Sequence, residues 1–215
     1  MKVTRIVTRN AKPSRLEALS DGVFAIVMTI LVLELVVPEI QEQLAEKQLY
    51  LKLLEMWPKF AAYAFSFIVL GIVWVFHHYI FQYIKQINYR IVWINIIFLM
   101  FVAMLPFSTA MIGKYFILST TAVVFYGANW LINMSILYSL WWYVTKNKQL
   151  LINDITKREI LQVKINWGIA LGLIVIAIGL SFFNPYLVVI LYLALIIWGI
   201  VAMIASKNIN PNLKK

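Results

Sequence analysis

The feature that most limits this chain is a series of six apolar stretches, at about 16–37, 60–84, 91–112, 116–144, 165–183 and 186–205. A helix needs roughly 20 predominantly apolar residues to cross the hydrocarbon core of a bilayer. No water is present there to satisfy free peptide groups, so only helices and closed barrels span it. The stretches are rich in Ile, Leu, Val and aromatic residues without strict alternation, which fits helices rather than barrel strands. Two joints, Gly113-Lys114-Tyr115 and Asn184-Pro185, are tight enough to make antiparallel hairpins. The expected fold is all-α integral membrane, with six transmembrane helices forming a single domain over residues 1–215. Composition agrees, with 63% hydrophobic and 13% charged residues, far from the soluble average of about 45–50% apolar and about 25% charged. A soluble enzyme and a disordered chain are thereby excluded. With no Cys there is no disulfide framework and no thiolate metal site. The first span is too long for a signal peptide, contains Asp21 and Glu34, and lacks a small-residue cleavage site.

The net charge of +10 is a topology signal. Fifteen of the nineteen Lys and Arg fall in the first, third, fifth and seventh loops and tails, and only Lys47, Lys52, Lys59 and Lys114 fall on the other side. The positive-inside rule then puts both termini in the cytoplasm, as an even number of spans requires. Five of the acids, Glu34, Glu39, Glu42, Glu46 and Glu55, lie on the outer side. The basic excess records orientation and an anionic-lipid contact rather than nucleic-acid binding. The one long outer segment, 39–57, carries Ile40, Leu44, Leu51 and Leu54 at roughly helical spacing. It fits an interfacial helix or solvated loop, with an acidic vestibule as the sharper reading. The residues from Lys207 to Lys215 read as a frayed tail.

Ionisable and strongly polar groups within spans are costly and therefore point to function. Near the start of the first span stands Ser14-Arg15-Leu16-Glu17-Ala18-Leu19-Ser20-Asp21, where Ser14 and Glu17 match a capping box after Pro13. Trp74, His77 and His78 lie in the second span, and Trp93, Asn95 and Pro106 in the third. Adjacent histidines diverge by about 100° around a helix, so a metal site is disfavoured. Hydrogen bonding of His to Ser20, Asp21 or a neighbour and a pH-sensing role both remain open. Asn129 and Asn133 share a face of the fourth span and fit interhelical hydrogen bonding, while Gly168 and Gly172 form a GxxxG that suggests close packing. No nucleophile triad, phosphate loop, dinucleotide fingerprint or carbonyl-type potassium filter is present, so no enzyme and no cofactor are expected.

Projected at 100° per residue with Ile26 at zero, Leu33 falls at about −20°, Gly22 at about −40°, Thr29 at about −60° and Ile30 at about +40°. Those five residues form one stripe, and Asp21 lies about 140° away from it. Such a stripe fits lipid contact, core packing or a pore wall.

The chain resembles bacterial members of the endolysosomal potassium channel family of the transmembrane protein 175 type. The resemblance rests on Arg15-x-x-x-Leu19-Ser20-Asp21 followed by Gly22-Val23-Phe24-Ala25-Ile26, on Gly71-Ile72-Val73-Trp74-Val75-Phe76-His77-His78, and on Leu105-Pro106-Phe107-Ser108-Thr109-Ala110. Leu19 stands where the family usually has Phe. The resemblance implies a homotetramer around a central pore lined by the first helix. Carried over by position, Ile26 is the narrowest ring, Ile30 and Leu33 are further rings, and Thr29 is a hydroxyl ring. Arg15, Ser20, Asp21, Trp74, His77 and Asn95 become the interhelix or intersubunit polar network. The expected activity is potassium permeation with modest selectivity over sodium, in the bacterial plasma membrane. Its partners are other copies of the chain, the bilayer, and potassium and other monovalent cations. A secondary transporter and a proton-permeable leak are the alternatives, although no inverted repeat or paired broken segments support a transporter.

Overall fold

The computed structural model describes residues 13–115, 119–152 and 155–209. The tail positions Lys2, Arg5, Arg9, Lys12, Lys214 and Lys215, and the first residues of the expected fourth span, lie outside them. Among the described residues there are eight α-helices and no β-strand. They are α1 (Pro13–Ile30), α2 (Ala45–Glu55), α3 (Trp57–Gln82), α4 (Tyr89–Ala103), α5 (Leu105–Tyr115), α6 (Thr120–Lys146), α7 (Lys157–Leu180) and α8 (Pro185–Ile209). Five segments are long and apolar enough to cross a membrane: Pro13–Glu34, Trp57–Gln82, Tyr89–Tyr115, Thr120–Lys146 and Lys157–Leu180. The sixth expected span is α8, a 25-residue helix with an apolar run at Ile190–Val201. The protein is an all-helical, multi-pass membrane protein.

Local chemistry sets the helix ends. Pro58 sits in the first turn of α3, where its missing N–H costs nothing. Asn88 caps α4 by accepting the Ile91 N–H at 3.0 Å. A capping box does form, but it is Thr156 and Glu159 at the start of α7. Ser14 and Glu17 make none, because α1 already includes Pro13 and Ser14 lies inside the helix. The third span is not continuous. It divides at Met104 into α4 and α5, since Pro106 can neither donate to the carbonyl of Val102 nor avoid crowding it. The segment expected to lie outside is a 3-10 turn, Glu42–Leu44, followed by α2. Ile40 precedes both, so the expected run of apolar residues does not lie on one helical face. At the other end of the chain α8 continues as helix to Ile209, further than the frayed tail expected from Lys207.

The first helix packs on α3 and α4, α6 packs on α4, α5 and α7, and α8 packs on α7. Phe24, Phe81, Phe98, Tyr126 and Trp141 are the largest fully buried side chains. At one end the loops before α4 and after α6 join by backbone hydrogen bonds, Lys85 N–H to Leu150 O at 2.7 Å and Ile152 N–H to Tyr83 O at 3.1 Å. At the other end the segment after α1 meets the start of α3 and the α5 terminus around a cavity of about 460 Å³ lined by Val36, Glu39, Lys52, Glu55, Lys59 and Lys114, among others. The loops that the charge pattern assigns to opposite sides are thus gathered at opposite ends.

Close helix approach occurs at a glycine the sequence pattern did not single out. A methyl at Gly127 would collide with the Tyr192 hydroxyl and lie 2.8 Å from Ile178 Cγ1, whereas methyls at Gly168 and Gly172 would meet nothing. The GxxxG therefore makes no close packing within the chain. The Tyr192 hydroxyl, buried among Phe65, Tyr126 and Trp130, has no hydrogen-bond partner among the described residues. Gly127→Ala is expected to cost about 1–3 kcal/mol by overpacking. Tyr192→Phe alone removes an unpaired hydroxyl and should leave stability equal or higher. Combined with Gly127→Ala it should recover part of the loss. Thermal unfolding of the four proteins in detergent checks the set.

Candidate functional site

The first helix has two unlike faces. Leu16, Ser20, Phe24 and Val27, with Leu31 in the turn that follows, are buried. Their spacing of three and four residues places them on one side of the helix. The other side carries Ile26, 59% exposed, Ile30, 39% exposed, and Leu33, 70% exposed, with Gly22 and Thr29 exposed beside them. All five stripe residues therefore face away from the rest of the chain. One detail departs from the projection. The helix tightens to 3-10 geometry over Leu31–Glu34, where residues three apart eclipse, so Leu33 stands above Ile30 rather than rotated back past Ile26. Thr29 Oγ donates to the Ile26 carbonyl at 2.8 Å. Its proton is committed to the backbone, and its oxygen presents lone pairs outward.

Three hydrogen bonds anchor the buried face. Ser20 Oγ donates to the Leu16 carbonyl at 2.9 Å and accepts from Asn95 Nδ2 at 3.0 Å. The other end of that amide, Asn95 Oδ1, lies 2.8 Å from His77 Nε2. Because the Asn95 nitrogen is spent on Ser20, its oxygen can only accept, so His77 carries its proton on Nε2. The imidazole lies parallel to Phe98, with centroids 5.4 Å apart, stacks on Phe81 at 4.4 Å, and meets Phe24 at 6.0 Å. One amide on α4 thereby joins α1 to α3 inside an aromatic cage.

A second contact ties Asp21 to α3, where Trp74 Nε1 donates to Asp21 Oδ1 at 2.8 Å. The Trp74 ring stacks on His78, with centroids 5.7 Å apart, and His78 bonds Gln82 at 3.0 Å. The two adjacent histidines diverge as expected, His77 into the core and His78 to the surface. Of the six residues grouped from the sequence, Ser20, Asn95 and His77 form one chain of bonds and Asp21 and Trp74 a separate pair. Arg15 joins neither. It is exposed and makes no hydrogen bond or ion pair among the described residues. Six residues along a helix separate it from Asp21 by about 9 Å of rise and about 120° of rotation, beyond the reach of a contact within α1.

Other polar residues pair in ways the pattern did not separate. Asn133 donates to the Asn129 carbonyl at 3.0 Å and to Asn129 Oδ1 at 2.8 Å, so these two bond along α6 and not between helices. Thr109 donates to Ser66 Oγ at 2.8 Å, and Ser66 pairs with the Tyr126 hydroxyl at 3.0 Å, joining α5, α3 and α6. The aromatic cage and this hydroxyl cluster had no distinct sequence signal. Their members are ordinary span residues until the helices are placed. Among the described residues no three His, Asp or Glu side chains gather to hold a metal ion.

Fold and site together define a polytopic helical membrane protein of channel type, its first helix held on one face and open on the other. A family model described as Endosomal/lysosomal potassium channel TMEM175 matches residues 15–106, the stretch that holds both contact sets. A potassium channel from a Chryseobacterium species is 36% identical over 94% of this chain and 97% of its own length. The crystal structure of a lysosomal potassium-selective channel TMEM175 homologue from Chamaesiphon minutus superposes with a TM-score of 0.77 at 31% identity, over 88% of this chain and 97% of that one. The endosomal/lysosomal proton channel TMEM175 of Gallus gallus is 36% identical over 47% of this chain, which spans 21% of the animal protein. The chain belongs to the TMEM175 family. It is a cation channel and not an enzyme.

The anchor makes a stability prediction. Asn95→Leu strands the His77 N–H in an apolar cage and should cost about 1–3 kcal/mol, the penalty for an unsatisfied buried donor. Ser20→Ala keeps the Asn95–His77 bond but leaves the buried Asn95 amide N–H without its partner, so a loss of the same order is expected. Unfolding temperatures in detergent test both variants, and either one matching wild type would refute the anchor.

Proposed function

We propose that four copies of the chain assemble around α1 and conduct potassium, with modest preference over sodium, through rings of Ile26, Ile30 and Leu33. The observation that carries this reading is the two-faced first helix. Its Ile/Leu stripe is exposed among the described residues, while the opposite face is fixed by Ser20, Asn95 and His77. An apolar ring closes a pore by dewetting, and a cation crossing it loses hydration that no side chain replaces. Potassium holds its water less tightly than sodium, so the loss is smaller for potassium, and discrimination without carbonyl cages is modest. The Thr29 ring supplies oxygen lone pairs between the Ile26 and Ile30 levels, the one polar layer in the stripe.

Assembly also accounts for Arg15. A guanidinium at the base of the stripe with no partner among the described residues of its own chain is costly near lipid, and an anionic or acceptor group on a neighbouring copy offsets that cost. With the basic loops on the cytoplasmic side, both termini lie in the cytoplasm of a bacterial cell and Glu34 follows the pore helix on the outer side. Protons are a second permeant in this reading, favoured by the similarity to the proton channel of Gallus gallus.

In proteoliposomes the wild-type protein should pass potassium faster than sodium. Ile26→Asn should raise flux severalfold by hydrating the narrowest ring and bring the potassium-to-sodium ratio toward unity. Flux and ratio both unchanged in Ile26→Asn would remove Ile26 from the pore wall.

A further inference from the structure

Between Glu55 and Asp154 the sequence contains no Asp or Glu. That interval supplies α3 to α6 and carries Lys85, Arg90, Lys146 and Lys148 at the end where the loops before α4 and after α6 join. Among the described residues the one ion pair is Lys52–Glu55, at the opposite end. Among the described residues the cations of the joined end therefore form no ion pair with this chain's own acids.

Two of them are held over aromatic rings at the α4/α6 seam. The Arg90 guanidinium carbon lies 5.9 Å from the centre of the Tyr143 ring, and Lys146 Nζ lies 4.8 Å from the centre of the Trp142 ring. The floor beneath them is fixed, because Asn88 caps α4 and also donates to the Tyr143 hydroxyl at 2.7 Å. Trp142 is exposed, as are Tyr89 and Trp93, whose rings meet edge to face at 5.9 Å. Exposed Trp and Tyr at the ends of membrane-crossing helices lie at headgroup level, and basic pockets between such helices bind anionic headgroups.

We infer that Arg90 and Lys146, over Tyr143 and Trp142, form a binding site for the headgroup of an anionic phospholipid. The phosphate sits between the two cations and its acyl chains run along Trp142 and Trp93. The geometry is that of a single subunit, and the inference is independent of which side of the membrane this end faces and of what the protein conducts.

The test uses the full chain in vesicles containing dibrominated phosphatidylglycerol in phosphatidylcholine, or the reverse labelling at equal mole fraction, with tryptophan fluorescence as the readout. Brominated tails quench only indoles they touch. Two interfacial cations should favour the anionic lipid roughly thirtyfold at this site, seen as extra quenching by the brominated anionic lipid. The excess should fall on Trp142→Phe in otherwise native protein and vanish in Arg90→Gln/Lys146→Gln. The Trp142→Phe measurement stands by itself if the double variant does not fold. Equal quenching by the two lipids in wild type, or an excess unchanged by Trp142→Phe, overturns the site. So does complete protection of Trp142 from both lipids, which would mean that another copy of the chain covers this face.

Discussion

The side-chain amide of Asn95 is the interaction on which the rest of this structure depends. In lipid there is no water to take up a released polar group, and helices gain little by exchanging lipid contacts for contacts with one another. Directional bonds and close packing must therefore supply the specificity. Asn95 has two ends of opposite character, one bonded to Ser20 and the other to His77, so a single residue on α4 fixes the rotation of α1 and of α3 together. Phe24, Phe81 and Phe98 close around the bond, where a low dielectric strengthens it. With rotation set, the outward direction of the Ile26 stripe is not a separate choice. It is the far side of the face that Ser20 occupies.

The spans and their placement were legible because hydropathy and loop charge act through the bilayer and need no partner residue to be read. Pairings were legible only where one helix sufficed. The divergence of His77 and His78 is a property of helical pitch and could be read directly. The pairing of Ser20 with Asn95 depends on how α1 crosses α4, which no local pattern encodes, and it entered as family resemblance. The same limit explains the misassigned elements. A GxxxG marks only the capacity for close approach, and the approach occurs at Gly127 because Tyr192 and Ile178 converge there. Ser14 and Glu17 have the capping spacing of Thr156 and Glu159, yet α1 begins one residue before Ser14. Leu33 departs from its projected angle because the helix changes pitch at Leu31, and a fixed 100° step carries no information about that.

Charge divides the molecule along its length much as polarity divides α1 around its axis. Acids and bases mix at the end that holds α2 and the cavity beside Glu39 and Lys59, and Lys52 and Glu55 pair there at 2.9 Å. Such an exposed pair contributes about 0–1 kcal/mol, so it adds little stability, but it leaves that end close to neutral. The opposite end has bases and rings with few acids. Cations held over Tyr143 and Trp142 keep part of their solvation through the ring faces while remaining available to an outside anion. On the proposed readings, orientation and lipid contact are two consequences of one asymmetry.

On the proposed channel reading, the division of α1 also accounts for where a constriction can move. Asp21, bonded to Trp74, is the last polar anchor on its helix, and Ile26 lies five residues further on, about 7.5 Å along the axis. Beyond it the 3-10 turn at Leu31–Glu34, which packs on α3 and α5, leads into a segment without helix or strand before Glu42. Gly22, with open space where a side chain would be, lies between the anchor and Ile26. A small tilt about the anchored part therefore displaces Ile26, Ile30 and Leu33 progressively more, without breaking the Ser20–Asn95–His77 bonds. An apolar ring is well suited to such motion. It has no hydrogen bonds to exchange as it widens, and its barrier to ions depends mainly on whether the gap holds water. The hydrogen-bonded face supplies the fixed frame, and the face that makes no bonds is free to set the width.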